Sequence, residues 1–259
     1  MPMLDVKDSS LFFHVKGEGI PIVFIHPPVL TGMNFLYQVE KLSNVFKVIT
    51  FDIRGHGRSQ VSKQPLTYSL IAEDTKSLLD HLDIKQAFVC GYSTGGSIAL
   101  EFVLNHPDRC FGGVLISGMS EVREGYLKRK ISLGMSVTKR RAVPILATSI
   151  SWTNSNSRKV FMKLLKEAMR GNARNIEEYY RYSKDYNCTQ QLDQIKLPML
   201  LVFGEKDKLF YEHAKLLHEK LPSSELSFIN RVKHHVPTKA AVELNERIRQ
   251  FVNEVGTIE

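Results

Sequence analysis

Short, mostly apolar runs recur along the chain and alternate with stretches whose apolar residues have helical spacing. The runs lie at 22–25, 46–51, 87–90, 114–117, 199–203 and 226–229. A run that is apolar at every position is typical of a central strand covered on both faces. The helical spacing occurs at 35–42, 69–82, 95–105, 211–221 and 238–252. This alternation predicts an α/β fold, with a mostly parallel central sheet flanked by helices.

The first twenty residues contain a further strand-like segment at 11–15, followed by a glycine turn, Gly17-Glu18-Gly19. The turn leads directly into the apolar run at 22–25. Glycines between two strand-like segments favour a tight reversal of the chain. We therefore expect a short hairpin here.

The alternation is interrupted once, at residues 121–190. This region has helix-compatible sequence, such as 158–170 and 175–184, and no credible strand. We call it the cap, because it predicts an all-helical insertion between two core strands. With no internal repeat or low-complexity linker, the expected organisation is one α/β core formed by 1–120 and 191–259, carrying the cap.

Composition excludes several classes of protein. With 259 residues, 43% hydrophobic and 24% charged, the chain is long enough for a sizeable core, unlike a disordered or disulfide-stapled chain. Its start lacks the basic and apolar pattern of a secretory signal, and no segment reaches the roughly 20 apolar residues of a membrane span. Cys90, Cys110 and Cys188 fit neither a zinc site nor a disulfide framework. We expect buried, reduced thiols, a cytoplasmic location and no metal.

The positive charge is concentrated in the cap. The whole chain has a formal charge of +8, whereas the cap alone holds 15 Lys and Arg against 6 Asp and Glu, a net +9. Solvated helix faces explain such charge, and an anionic membrane surface or an acidic substrate are the alternatives. Nucleic acid is not expected, because no nucleic-acid-binding motif is present.

Gly91-Tyr92-Ser93-Thr94-Gly95 matches the pattern G-x-S-x-G. It follows the apolar run at 87–90 and opens the helical stretch at 95–105, which is the strand–turn–helix context that this motif requires. Side chains two residues to either side of the serine would collide with neighbouring backbone in so sharp a turn, so glycines occupy those positions. The pattern predicts that Ser93 is an exposed nucleophile at the amino end of a helix.

Three further segments, in chain order, are similar to motifs of one family. His26-Pro27-Pro28 ends the first apolar run, Asp52-Ile53-Arg54-Gly55-His56-Gly57-Arg58-Ser59 matches D-x-R-G-x-G-x-S, and Phe203-Gly204-Glu205-Lys206-Asp207 looks like an acid-bearing turn. Together with G-x-S-x-G, they make the sequence resemble the α/β-hydrolase superfamily. The Asp52–Ser59 segment is expected to be structural.

The resemblance implies a catalytic triad. A serine hydroxyl needs a base, and the base needs an orienting carboxylate; in this family the acid and then the histidine follow the serine. Asp207 is the expected acid, with Glu121 as the alternative. The base is His234 or His235, and the intervals to Ile229 and Phe251 favour His234.

The resemblance also implies an oxyanion hole. One donor is the backbone N–H of Thr94. The second position of the family pattern is Pro28, which has no N–H, so Val29 or Leu30 would have to donate. His26, Pro28, Tyr92 and Trp152 are the expected substrate contacts, and apolar cap residues are expected to roof an acyl pocket.

The predicted activity is that of a serine hydrolase of the carboxylesterase kind, which cleaves an ester or related acyl compound through an acyl-enzyme and needs no cofactor. Acyltransferase and C–C bond hydrolase activities use the same triad and remain alternatives. A weakly catalytic or non-catalytic ligand sensor is the rival from another class, because Pro28 removes an expected donor. The sequence indicates no oligomeric state.

Overall fold

A computed structural model describes residues 2–256 of the chain and contains one eight-stranded sheet. The strands, in chain order, are β1 (Met3–Val6), β2 (Ser9–Lys16), β3 (Pro21–Ile25), β4 (Lys47–Phe51), β5 (Ala87–Tyr92), β6 (Cys110–Ile116), β7 (Met199–Gly204) and β8 (Ser224–Ile229).

The strand order across the sheet is β1-β2-β4-β3-β5-β6-β7-β8. Strands β1 and β2 are antiparallel to their neighbours, whereas all pairs from β4 to β8 are parallel. The carboxyl ends of β3 to β8 therefore meet at one edge of the sheet, where ligands of open α/β sheets bind. The predicted α/β fold is confirmed.

Ten α-helices surround the sheet or cover one end of it: α1 (Leu36–Leu42), α2 (Tyr68–His81), α3 (Thr94–Asn105), α4 (Gly125–Lys139), α5 (Val143–Thr153), α6 (Arg158–Ala168), α7 (Ala173–Asp185), α8 (Tyr211–Lys220), α9 (Val236–Lys239) and α10 (Ala241–Gly256) in the described part of the chain.

Both faces of the sheet are buried, which explains the strands' lack of polar residues. In β3, Val23 and Ile25 pack into the cluster that contains α2, α3 and α8, while Ile22 and Phe24 pack into the cluster that contains α1 and α10. Because side chains alternate along a strand, a strand covered on both sides must be apolar at every position.

The cap contains α4 to α7, which lie between β6 and β7. It is anchored to the loop after β4: Arg58 forms an ion pair with Glu167 of α6 at 2.9 Å, and the Asn172 N–H donates to the Gly55 carbonyl at 2.7 Å. From α7, the Tyr179 hydroxyl donates to the His26 carbonyl at 2.9 Å. These bonds fix the cap over the carboxyl edge of the sheet.

The predicted amino-terminal hairpin is wrong. β2 pairs with β1 and β4, and β4 separates it from β3, so the Gly17–Gly19 turn joins strands that are not neighbours. The Gly17 turn packs instead against the end of α1, where an added Cβ would lie 2.3 Å from the Phe46 carbonyl oxygen. The sequence also predicted a single helix at 238–252, whereas the structure has two helices there, α9 and α10.

Within residues 2–256, no helix combines the length and the apolar character needed to span a membrane.

Candidate active site

Ser93 occupies the turn between β5 and α3. Its backbone angles are φ 55° and ψ −123°, a conformation that costs about 1–3 kcal/mol in a non-glycine residue and is found mainly at functional sites. A Cβ on Gly91 would lie 2.2 Å from the Gly95 carbonyl oxygen, and one on Gly95 would lie 2.2 Å from the Ile25 carbonyl oxygen. The steric reason for both glycines of the motif is therefore confirmed.

Three residues from separate segments form a hydrogen-bonded chain at this edge. His234, in the loop between β8 and α9, has its Nε2 at 3.0 Å from Ser93 Oγ. Its Nδ1 lies 2.8 Å from Oδ2 of Asp207, which follows β7. This is the arrangement in which an imidazole takes a proton from a hydroxyl while a carboxylate holds its orientation.

Aromatic rings fix the His234 imidazole. The Phe210 ring centroid lies 4.3 Å from that of His234, and the Tyr92 centroid lies 5.5 Å away. The Asp207 side chain is 9% exposed and that of His234 is 21% exposed, so this pair is shielded but accessible from one side. Packing thus favours the His234 rotamer that reaches Ser93.

The alternative acid, Glu121, and the alternative base, His235, lie outside this chain of hydrogen bonds. Glu121 forms an ion pair with Arg123 at 3.1 Å and accepts from the Asn187 amide, so its carboxylate is engaged within the start and end of the cap. His235 has its ring centroid 6.0 Å from that of His234 and lines a surface groove. Ser93 is therefore bridged to Asp207 by His234.

The loop after β3 brings Val29 into an uncommon conformation. Its φ is 72°, although a β-branched residue is costly in the left-handed region. No acceptor for the Val29 N–H is found among residues 2–256. Thr94, the first residue of α3, likewise has an N–H without an intrahelical partner. Both N–H groups are thus available as donors, while Pro28 is buried in the same loop.

The other predicted substrate contacts have different placements. His26 is completely buried: its Nδ1 lies 2.9 Å from the Pro27 carbonyl oxygen, and its Nε2 accepts from the Ile53 N–H at 2.9 Å. Burial lowers the pKa of His26 to about 3, so the ring is neutral. Because both nitrogens are engaged with backbone, His26 ties β3 to the loop after β4 rather than contacting a ligand.

Tyr92 contacts the residue that follows cap helix α5, whereas Trp152 belongs to α5 itself. The buried Tyr92 hydroxyl donates to Asn154 Oδ1 at 3.1 Å, which connects the serine turn to the end of α5. The Trp152 side chain is 67% exposed and packs edge-on against Phe161, with centroids 5.5 Å apart. Trp152 therefore faces the outside of the cap and the surface groove.

The Asp52–Ser59 segment is structural, as expected. Asp52 accepts the N–H groups of Gly32 and Arg58, both at 2.9 Å, and Arg54 forms an ion pair with Asp74 at 2.6 Å and with Asp8. Burial raises the pKa of Asp52 to about 6. These bonds hold the turn to which the cap is anchored.

The three cysteines are free and buried, as the sequence predicts. Burial raises the pKa of the Cys90 thiol well above its usual range, which leaves it unreactive beside the serine turn. Within the described residues, no group of three or more His, Cys, Asp or Glu side chains is placed to hold a metal ion.

Sequence reasoning missed Asn154, Phe210 and Tyr179. Asn154 and Tyr179 lie in the cap, and their contacts with Tyr92 and His26 span about 60 and 150 positions of the chain. Phe210 follows Asp207 by three residues, a spacing that would have suggested a neighbour of the acid.

A family model described as the alpha/beta hydrolase fold matches residues 20–238. The chain belongs to this family.

Relatives of this α/β hydrolase cover nearly its whole length. The AB hydrolase superfamily protein YisY of Bacillus subtilis is 27% identical over 259 residues, which are 94% of this chain and 96% of that protein. The 3-oxoadipate enol-lactonase 2 of Acinetobacter baylyi is 26% identical, covering 93% of this chain and 94% of that enzyme.

Solved structures share the fold. A thermophilic esterase from Thermogutta terrifontis superimposes with a TM-score of 0.85 at 23% identity, covering 95% of this chain and 94% of the other. The α/β-hydrolase fold is thus reproduced over core and cap together, and the chain is a hydrolase of this fold with esterase-like relatives.

Proposed function

We propose that this protein is a serine hydrolase that cleaves a carboxylic ester through an acyl-enzyme, with Ser93 as nucleophile, His234 as base and Asp207 as the orienting acid. The observation that carries the proposal is the hydrogen-bonded chain in which one imidazole lies 3.0 Å from Ser93 Oγ and 2.8 Å from Asp207 Oδ2. The strained turn at Ser93 supports it, because such a conformation persists where function requires it.

The reaction would proceed in two stages. Ser93 Oγ attacks the ester carbonyl while His234 Nε2 takes its proton; the tetrahedral intermediate then collapses and the leaving alcohol receives that proton. Water attacks the acyl-enzyme in the second stage, with His234 again acting as base. Asp207 holds the His234 ring in place and stabilises the imidazolium formed in each stage.

The negative oxygen of the tetrahedral intermediate would be stabilised by the N–H groups of Thr94 and Val29, at the positive end of the α3 dipole. Val29 supplies the donor that Pro28 lacks, and its positive φ is the local cost of presenting that N–H. With Val29 as the second donor, the missing N–H of Pro28 is compatible with a catalytic protein.

The substrate would be a small acyl compound. Val29 packs with Val143, Ala147 and Ile176 of the cap, so the roof over the oxyanion loop is apolar. An apolar roof favours an uncharged acyl portion near Ser93. Relatives named as an esterase and an enol-lactonase support an open-chain or cyclic ester, since a lactone is an internal ester.

We also propose that the cap contacts anionic membrane surfaces. On α5, Ile145 is 66% and Trp152 67% exposed, and they lie on one helical face because they are seven residues apart. Lys139 ends α4, and Arg140 and Arg141 lie in the turn between α4 and α5. Exposed apolar side chains flanked by cations are typical of an interfacial helix.

Turnover of p-nitrophenyl acetate tests the triad. His234→Ala and Asp207→Asn should each lose about 10³-fold or more in kcat, since removing a triad member has an effect of this order in serine hydrolases. The matched changes His235→Ala and Glu121→Gln should stay within about threefold of wild type, because neither side chain contacts the triad serine. Loss of activity in His235→Ala alone would reassign the base.

A further inference from the structure

A groove of about 620 Å³ lies beside the catalytic histidine, between the end of α5 and the loop that follows β8. We call it the basic groove. Its lining side chains include Lys206, Arg231, Lys233, Lys239, His235 and Trp152. Glu243 is the one carboxylate among the described lining residues. The lining therefore has an excess of three positive charges.

These cations have no ion-pair partner within the part of the chain that the structure describes. Lys206, Arg231, Lys233 and Lys239 are all exposed, and none forms an ion pair with a carboxylate among residues 2–256. Elsewhere on the molecule many cations are paired, as in Arg174 with Glu178 at 2.8 Å. Cations that line one concave surface repel each other. A bound anion offsets this repulsion, so the groove favours anionic ligands.

The pKa of His235, which lines the basic groove, also reflects a positive potential there. Burial, together with electrostatic interactions with His234, Lys239 and Lys130, lowers the pKa of His235 to about 4. Lys130 comes from α4, so the cap adds to the positive potential that the core loops create. His235 is neutral at physiological pH and contributes a polar ring rather than a charge.

The backbone at the groove is also held in place. Arg231 has φ 62°, and its N–H donates to Glu205 Oε2 at 3.2 Å. A non-glycine residue in the left-handed region costs about 1–2 kcal/mol, so this bond and the loop packing maintain a strained position. Arg231 is one of the residues that line the basic groove.

The groove adjoins the triad. Lys206 precedes Asp207 and Lys233 precedes His234, and consecutive Cα atoms are about 3.8 Å apart. The ring of His235, on the groove wall, has its centroid 6.0 Å from that of His234. The groove wall therefore lies one side chain away from the histidine that bonds to Ser93.

We infer that the basic groove binds a carboxylate or phosphate group carried by the substrate, and so selects esters with an anionic group at one end. This inference rests on the proposed ester hydrolysis at Ser93. The apolar roof near Val29 and the basic groove then receive the two ends of one amphipathic substrate.

Binding is tested without turnover, because Trp152 is the single tryptophan of the chain and lines the groove. Succinate and inorganic phosphate are titrated separately into the Ser93→Ala protein while tryptophan fluorescence is followed, so the two arms distinguish carboxylate from phosphate. A saturable change with at least one probe is expected. No saturable change with either probe would overturn the inference.

Two charge-matched double variants, built on the same background, show where the probe binds. Arg231→Gln/Lys239→Gln removes two groove cations and should weaken binding roughly fivefold or more, since each exposed charge pair contributes up to about 1 kcal/mol. Lys7→Gln/Lys85→Gln removes two exposed cations from the core and should leave binding unchanged. Equal weakening in both variants would show a general charge effect and overturn the inference.

Kinetics connect the groove with the substrate. p-Nitrophenyl butyrate and mono-p-nitrophenyl succinate differ by a terminal carboxylate on the acyl side, and phenyl acetate and 4-acetoxybenzoate differ by one on the alcohol side. In Arg231→Gln/Lys239→Gln, one of the charged esters should show a KM raised roughly fivefold or more, with kcat and the neutral esters little changed.

The two proposals fail in different ways. If wild type hydrolyses the neutral esters and the groove variant affects charged and neutral esters alike, the groove inference is wrong and the hydrolase proposal stands. If wild type hydrolyses none of the four esters while succinate or phosphate still binds at Trp152, the hydrolase proposal fails and the anion site stands without its role in catalysis.

Discussion

At the scale of single residues, buried ionisable groups that take no part in the triad set the acid stability of the fold. Burial lowers the pKa of His26 to about 3 and that of His56 to about 4, whereas it raises the pKa of Asp52 to about 6. All three lie in or beside the loops that position the oxyanion donor and the cap, so their protonation would act on the site as well as on stability.

The direction of the pH effect follows from proton uptake. As the pH falls from 6.5 to 4, the unfolded chain gains a proton on each histidine that the folded chain does not, so each histidine lowers the free energy of unfolding by about 1 kcal/mol per pH unit. Asp52 has the opposite effect below pH 6. Its carboxylate takes up a proton at a higher pH in the folded state than in the unfolded chain, so acidification raises its contribution to the free energy of unfolding. His235, whose pKa is also lowered to about 4, acts in the same direction as His26 and His56, so the histidines outweigh Asp52 and acidification lowers the stability of the fold.

Urea denaturation at pH 7, 6 and 5 measures this loss. Wild type should lose stability across the series, and His26→Gln should reduce the slope by about one proton, or about 1 kcal/mol per pH unit. His218→Gln, which removes an exposed imidazole on α8, is the matched control and should keep the wild-type slope. An unchanged slope in His26→Gln would mean that the buried ring is not the titrating group.

At the scale of elements, the contact between the cap and the loop after β4 depends on Gly55. Its φ is 69°, its carbonyl accepts from Asn172, and a Cβ would lie 2.2 Å from Asn175 Oδ1. Asn175 Oδ1 in turn accepts from the Ser62 N–H at 3.0 Å. A side chain at Gly55 would disturb the bonds that join α7 to the core.

We expect Gly55→Ala to lower the free energy of unfolding by about 1–3 kcal/mol and to raise the susceptibility of the cap to proteolysis. Gly125→Ala is the matched control, because a Cβ there has no atom within 4 Å, and it should change stability by about 0.5 kcal/mol or less. Equal stability of the two variants would show that the Gly55 contact does not hold the cap.

The elements also show how far the sequence predicts this molecule. The parallel strands β3, β5 and β7 were predictable because each is apolar at nearly every residue, a pattern that burial on both faces imposes. The order of the edge strands was not predictable. A glycine turn such as Gly17–Gly19 can join two strands that pair with each other, or two strands that have a third strand between them, as here.

For the candidate site, the proximity of Ser93, His234 and Asp207 was predictable because each follows a recognisable strand in the order typical of the family. The sequence left Val29 and Leu30 as alternative oxyanion donors, since the direction of each N–H depends on a loop conformation that a Pro-Pro sequence does not determine. The basic groove was not predictable, because Trp152, Arg231 and Lys239 come from three segments that meet only in the folded chain.

At the scale of the whole molecule, charge divides the protein into a near-neutral core and a strongly basic cap. The cap's net charge of +9 is carried by exposed clusters such as Lys128, Arg129 and Lys130. Surface potentials of this kind act on approaching molecules over roughly one Debye length, about 10 Å at 0.1 M salt. The cap therefore biases the protein towards anionic surfaces and solutes.

Sedimentation with vesicles of phosphatidylserine and phosphatidylcholine measures the proposed surface contact. Binding should be present at low salt and lost at high salt, and Lys128→Gln/Arg129→Gln/Lys130→Gln should weaken it by about 1 kcal/mol for each charge near the surface. Lys7→Gln/Lys41→Gln/Lys85→Gln removes three exposed core cations as the control. Equal weakening by the two triple variants would contradict a contact made through the cap.

The central claim, that Ser93 is an activated nucleophile in a triad with His234 and Asp207, is tested most directly by a fluorophosphonate probe, which forms a covalent bond with the serine of such a triad. Intact mass and peptide mapping should show one adduct per folded chain, located at Ser93, absent from Ser93→Ala and formed far more slowly in His234→Ala. A folded wild-type protein that stays unlabelled, or that is labelled at another residue, would contradict the account.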